Sequence, residues 1–157
     1  MITWHILPPE ELMQVHQKAF PTLPDRFKDP NTFANIYGRK DSFFCAVLVD
    51  GALGGSFWFI NTVPGWKATA HICLWDKACL KQCDLAREIL FEVLRILNVR
   101  RVDAYIPAHN TLALRFAEEL GLMQEGVLRQ TEFYNGQLED MVVYALLKEE
   151  DDGWRTR

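Results

Sequence analysis

Alternation of apolar and polar positions divides the chain into seven short strands and several amphipathic helices. A period of two predicts strands over residues 3–7, 42–49, 52–62, 67–75, 102–106, 123–133 and 137–147. A period near 3.6 predicts a helix opening at Pro9, a short one over 31–37 and a long one over 79–97. A further helix follows Asn110, with Leu112, Phe116 and Leu120 on one apolar face.

Turn residues fix how these elements are joined. Asp50-Gly51 and Asn135-Gly136 predict tight hairpins, and 63–65 predicts a third turn, so strands two to four form an antiparallel meander. Asn110 is placed to cap its helix, and Gly121 is placed to end it. The resulting order, β-α-(α)-β-β-β-α-β-α-β-β, predicts an α/β fold with a mixed, mostly antiparallel seven-stranded sheet and helices on both faces.

Composition narrows the class of protein. The chain has 157 residues, 49% of them hydrophobic and 24% charged, with a net charge of −4. These values predict one globular domain over 1–148, followed by a charged, frayed tail over 149–157. The negative charge argues against nucleic-acid binding, and the lack of a long apolar run or signal peptide argues against a membrane partner. Four cysteines in a chain of this length favour free thiols and a cytoplasmic location.

The second half of the chain resembles a known superfamily. Its features, in order, are Arg101-Val102, Asn110, the run 118–122, the run 125–129, Asn135-Gly136, Asp140 and the run 143–146. Together with the element order, they resemble the GNAT superfamily of acyl-CoA-dependent N-acyltransferases. Within it, the chain is most similar to the branch that acetylates ribosomal-protein N-termini. The resemblance covers nearly the whole chain.

This resemblance implies a site for acetyl-CoA. In the superfamily, two central parallel strands splay apart, and their free backbone groups hold the pantetheine arm like an added strand. The pyrophosphate lies at the start of the long helix, where the helix dipole favours anions. Carried over to this chain, the implied coenzyme-binding residues are Cys73, Leu74, Trp75, Lys77, Lys81, Gln82, Cys83 and Asn110.

The implied phosphate loop departs from the family pattern. Glycines usually let that loop wrap closely around phosphate oxygens, whereas this chain has no glycine between Gly65 and Gly121. Lys77 and Lys81 offer only side-chain charge in their place. The loop over 76–83 is therefore degenerate, and the start of the helix is left as the anion site.

Candidates for proton transfer are few. Where the family often carries a serine or tyrosine on the short helix, this chain has Ala113 and Ala117. The catalytic candidates are then His71, His109 and Tyr105, with Tyr134 as a further phenol. The plainer interpretation makes His71 a satisfied sheet residue and His109 a turn residue.

Two other clusters have structural alternatives. His71, Cys73, Cys79 and Cys83 are soft ligands that zinc accepts, but their spacing matches no common zinc motif, and we expect no metal. Trp58, Trp66 and Trp75 either line an acceptor groove or pack in the core, and core packing is favoured.

Two functions remain open at this stage. The first is acetyl-CoA-dependent N-acetyl transfer to a primary amine of a small molecule or of a protein or peptide N-terminus. The second is a GNAT-like fold without chemistry that binds a protein partner, as phage-type assembly factors do. A homodimer is expected in either case.

Overall fold

One seven-stranded sheet organises the chain. The computed structural model describes residues 1–151, so residues 152–157 of the expected tail lie outside the described part. The strands run in the order β1-β2-β3-β4-β5-β7-β6, and only β4 and β5 are parallel. Their bounds are Ile2–Ile6, Phe43–Val49, Ala52–Val63, Lys67–Leu74, Arg101–Pro107, Met123–Tyr134 and Gln137–Leu147 for β1 to β7. The expected α/β class and mixed sheet are confirmed.

Five helices cover the two faces of this sheet. They are α1 Leu12–Ala19, α2 Pro30–Tyr37, α3 Lys77–Leu80, α4 Cys83–Ile96 and α5 Thr111–Glu119. Helices α4 and α5 pack with Phe57 and Phe59 on one face, and α1 and α2 pack around Trp58 on the other. Neighbouring residues of β3 serve opposite faces because side chains alternate along a strand.

The expected single helix over 79–97 is wrong. Residues Lys81 and Gln82 separate α3 from α4, and Gln82 has non-helical backbone angles of φ −118° and ψ 62°. The Asp76 side chain caps α3 by accepting the Ala78 N–H at 2.7 Å. This short turn is therefore a separate unit with its own cap.

The predicted turns have the backbone that their residues favour. Asp50 and Gly51 have φ of 48° and 82°, and Asn135 and Gly136 have φ of 50° and 76°, as a type I′ hairpin requires. Gly121 follows α5 with φ of 96°, and Glu125 lies at a register shift between β6 and β7. No helix within residues 1–151 is long and apolar enough to span a bilayer.

Two expectations about the surface need correction. Trp66 does not pack in the core, because it follows the Gly65 turn and is 59% exposed, with Lys67 over its ring. The start of the expected frayed tail is held instead in a 3-10 turn, Lys148–Asp151. There Glu150 accepts the Leu147 N–H at 2.8 Å, and Glu149 bonds with Arg100.

Candidate active site

The parallel strands β4 and β5 separate after three residue pairs. Their ladder ends at Thr69 opposite Asp103, where the Thr69 hydroxyl donates to Asp103 Oδ1 at 2.7 Å. Beyond this point β4 stays paired with β3 to Leu74, and β5 stays paired with β7 to Pro107. The edges that β4 and β5 turn toward each other are therefore unpaired, and an opening lies in the middle of the sheet.

Two cavities meet in this opening. The larger measures about 400 Å³ and lies between the end of β4 and α5. The smaller measures about 120 Å³ and reaches the face that carries α1 and α2. The residues that line both are Thr22, Ile72, Cys73, Asn110, Ala113 and Phe116. A passage thus connects the two sides of the sheet.

Asn110 stands where the two cavities join. Its Oδ1 accepts the Ala113 N–H at 3.1 Å, which caps α5 as expected. Ala113 lines the same junction, and its small side chain leaves the junction open. Leu112 was expected to pack against the core with the rest of the apolar face of α5. Instead its side chain is 63% exposed and lines the larger cavity.

In the expected phosphate loop, most backbone N–H groups already donate hydrogen bonds within the loop itself. The N–H of Ala78 bonds to the Asp76 carboxylate, and the four that follow bond to carbonyls of the same turn. Those four donors belong to Cys79, Leu80, Lys81 and Gln82. The first amides of α4, at Cys83, Asp84 and Leu85, have no partner within the helix and can meet an anion there.

Two cations that the sequence reasoning missed face the larger cavity. Lys18 comes from the last turn of α1 and Arg115 from the middle of α5, and both are exposed. Within residues 1–151, neither forms an ion pair with a carboxylate. They lie on helices far apart in sequence, so only the fold reveals that they share a cavity. Lys77 and Lys81 are also exposed but do not line it.

Gly54 and Gly55 of β3 leave room for side chains of the neighbouring strands β2 and β4. A Cβ added to Gly55 would approach Leu74 Cδ2 to 2.5 Å, and one added to Gly54 would approach Val49 Cγ2 to 2.7 Å. The glycine pair therefore permits close packing behind Cys73, Leu74 and Trp75, which all line the larger cavity. Burial raises the pKa of the Cys73 thiol to about 11, so this thiol is uncharged near neutral pH.

The acid–base candidates divide into two groups. His71, Tyr105 and Tyr134 line the smaller cavity, whereas His109 does not. The ring of His109 is half exposed, with Nδ1 3.2 Å from Glu139 Oε1 and its edge against Tyr134. Tyr105 is 40% exposed, and burial followed by nearby Asp103 raises its pKa.

His71 and Tyr134 are both held in uncharged forms. Burial, followed by the charge of Arg26, lowers the pKa of half-buried His71 to about 4. Burial is also the main reason that the pKa of Tyr134, which is only 9% exposed, lies well above its ordinary value. Near neutral pH the cavity therefore contains an uncharged imidazole and an uncharged phenol.

The zinc hypothesis fails on geometry. Cys79 and Cys83 pack with the core on the α4 side of the sheet, while His71 contacts Trp58 on the opposite side, where Cys73 also packs. Among residues 1–151, no three His, Cys, Asp or Glu side chains are grouped to hold a metal ion. The sequence spacing did not indicate that the four side chains lie on opposite faces of the sheet, because His71 and Cys79 belong to different elements.

Residues 22–28, here called the strap, close the smaller cavity on the α1–α2 side. The strap is joined to the β6–β7 hairpin through Asp25, which accepts the N–H groups of Asn135 and Gly136 at 2.8 and 2.7 Å. Arg26 Nε also donates to Glu132 Oε2 at 2.7 Å. The Gly136 amide is the main reason that the pKa of Asp25 is lowered.

Comparison with known proteins agrees with this architecture. No protein-family model matches the chain. A 57-residue segment is 35% identical to an uncharacterized N-acetyltransferase p20 of Bacillus licheniformis, covering 36% of this chain and 32% of that protein. The match therefore spans about a third of the relative.

Solved structures match over nearly the whole chain. Spermidine N-acetyltransferase from Vibrio cholerae, in complex with CoA and spermine, has a TM-score of 0.78 at 18% identity and covers 95% of this chain and 96% of its own. A dodecameric structure of that enzyme in an intermediate state gives 0.76 at 18% identity, covering 95% of each chain. At these identities the matches show the fold. The chain has the acetyltransferase fold that its sequence resembled.

Proposed function

We propose that this protein transfers an acetyl group from acetyl-CoA to a primary amine, by direct attack within a ternary complex. The observation that carries the proposal is the opening between β4 and β5, where two cavities share lining residues. A solved neighbour with the same fold binds CoA together with an amine, spermine. A coenzyme and an acceptor approaching from opposite sides would meet in this opening.

The coenzyme would be held by backbone and by side-chain charge. The free edge of β4 near Ile72 and Leu74 would pair with the pantetheine arm. Lys18 and Arg115, which both face the larger cavity, would pair with the phosphates. Cations on two helices would thus supply charge where the turn of α3 has used most of its amides internally.

The residues of the smaller cavity would manage the protons. The bound coenzyme supplies an activated acetyl thioester. As the amine nitrogen bonds to the acetyl carbon and the carbon–sulfur bond breaks, one proton must leave nitrogen and one must reach sulfur. Neutral His71 would take the first, and protonated Tyr134 would give the second.

The first test is calorimetric titration with acetyl-CoA and with free CoA, followed by thiol release in the presence of primary amines. Tyr134→Phe is expected to lower kcat by about 10²- to 10⁴-fold with unchanged coenzyme affinity. Tyr105→Phe tests the other candidate phenol of the same cavity, and a larger loss of kcat in that variant would assign the proton donor to Tyr105 instead of Tyr134. Absence of coenzyme binding at millimolar concentration would refute the proposal.

A second candidate function is binding of a protein partner without catalysis, as in an assembly factor. The self-satisfied amides of α3 favour it, because they remove part of the usual phosphate site. In that case neither acetyl-CoA nor CoA would bind, and the Tyr134 variant would behave as wild type. The homodimer and the resemblance to the ribosomal-protein branch stay predictions.

A further inference from the structure

The smaller cavity is lined mainly by apolar and aromatic side chains. On its strap side it is bounded by Leu23, Pro24 and Phe27, with Trp58 and Tyr134 beside them. Within residues 1–151, no carboxylate lines this cavity. Its volume of about 120 Å³ is close to that of an apolar cavity that accommodates a single aromatic ring, roughly 150 Å³.

Three carboxylates of the strap and of the β6–β7 hairpin already have partners. Asp25 and Glu132 hold the strap to the hairpin, and Glu139 lies beside the hairpin. Their partners are Lys28 and two backbone amides for Asp25, Arg26 for Glu132, and His109 for Glu139. The charges of Asp25 and Glu132 are therefore already offset by Lys28 and Arg26.

Arg26 contributes positive charge beside the cavity, and its partner Glu132 contributes negative charge there. Arg26 lies close enough to His71 to contribute to the lowered pKa of that imidazole. An acceptor with several ammonium groups would have to bury at least one of them in a cavity that no carboxylate of residues 1–151 lines, and burying an unpaired charge is strongly unfavourable. An apolar group would instead gain from removing its surface from water.

We infer that the acceptor is a compact primary monoamine with an aromatic or branched apolar group, and not a polyamine. This inference rests on the proposed acetyl transfer and names the acceptor class of the same site. The amine nitrogen lies toward His71 and Tyr134, and the apolar group lies under the strap against Phe27 and Trp58.

The test compares 2-phenylethylamine, isobutylamine and spermidine as acceptors with acetyl-CoA, and as ligands of the protein–CoA complex by calorimetry. We expect kcat/KM for 2-phenylethylamine to exceed that for spermidine by about 100-fold or more, because only spermidine would bury an additional, unpaired ammonium group. Coenzyme binding together with equal or better use of spermidine would overturn the inference and leave acetyl transfer standing. Absence of coenzyme binding would overturn both.

A charge variant sharpens the comparison. Arg26→Gln leaves Glu132 without its cation, so spermidine use is expected to rise about tenfold relative to 2-phenylethylamine. Arg39→Gln, which removes an exposed arginine paired with Asp41, is the matched control and leaves the ratio unchanged. An unchanged ratio in Arg26→Gln, with spermidine still rejected, would show that Glu132 does not face the acceptor and would overturn the charge argument.

Discussion

Replacing His71 by glutamine tests the environment on which the site depends. The imidazole lies half-buried beside Trp58, within reach of the Arg26 charge, and the structure records no hydrogen bond for its ring within residues 1–151. Burial of such a ring favours its neutral form over the charged one. Acid should therefore destabilise the wild-type protein more than the His71→Gln variant.

The size of this effect follows from the two pKa values. Burial lowers the pKa of His71 from 6.5 to about 4, so between these pH values the unfolded chain binds more protons than the folded one. Stability is thus fully present above about pH 6.5 and is lost as the pH falls toward 4. If the pKa shift is complete, the free energy of unfolding falls by about 2 kcal/mol between pH 7.5 and pH 5. Because the His71 side chain is partly exposed, we expect a loss of about 1–2 kcal/mol.

Urea unfolding at pH 7.5 and pH 5 measures this difference directly. The quantity of interest is the pH-dependent loss in wild type minus the loss in His71→Gln. The other three histidines and all carboxylates are present in both proteins, so their contributions cancel. An NMR titration of the His71 ring gives the folded pKa independently.

Two results would refute the reasoning. One is a difference between the two proteins below about 0.5 kcal/mol, which is within the usual effect of a surface substitution. The other is a ring that titrates near 6.5 in the folded protein. Either result would mean that water reaches His71 freely, and the cavity would then not hold an apolar acceptor.

Three further predictions concern the coenzyme side of the opening. Lys18→Gln and Arg115→Gln are each expected to weaken CoA binding about threefold to tenfold and to reduce its salt dependence. Lys40→Gln removes a distant exposed lysine and should change neither the affinity nor its salt dependence. Calorimetry at two salt concentrations measures both quantities. Asn110→Ala is expected to lower the free energy of unfolding by about 1 kcal/mol through loss of the α5 cap, measured by urea unfolding. The same variant should weaken CoA binding more than Asn135→Ala does, and equal, negligible effects of both would remove Asn110 from the site.

Local sequence signals were sufficient to predict the fold. Asp50-Gly51 and Asn135-Gly136 specify left-handed turn residues that few other pairs tolerate, and Gly121 specifies the end of α5 in the same way. Each of these signals depends on residues that are adjacent in sequence. The chain order of the strands then left few topologies, because short turns force neighbouring strands to pair.

Periodicity was less informative about α5, because it identifies an apolar face but not what that face meets. Leu112 and Leu120 are eight residues apart on the same helical pattern, yet Leu120 is buried in the core and Leu112 is exposed at the larger cavity. A cleft that binds an apolar arm and a protein core select the same residue types. The sequence therefore cannot separate a residue that packs from one that binds.

The strap shows why the acceptor side was the hardest part to predict. Asp25 contacts Asn135 and Gly136 across 110 and 111 residues of sequence, and Arg26 contacts Glu132 across 106. In the sequence, Asp25 and Arg26 belong to a loop with a weak pattern, and Asn135-Gly136 is fully accounted for as a hairpin turn. Neither segment therefore signals a contact with the other. The turn nevertheless has a second role, since its left-handed residues present two consecutive N–H groups to one carboxylate. The hairpin that closes the sheet thereby also fixes the strap over the smaller cavity.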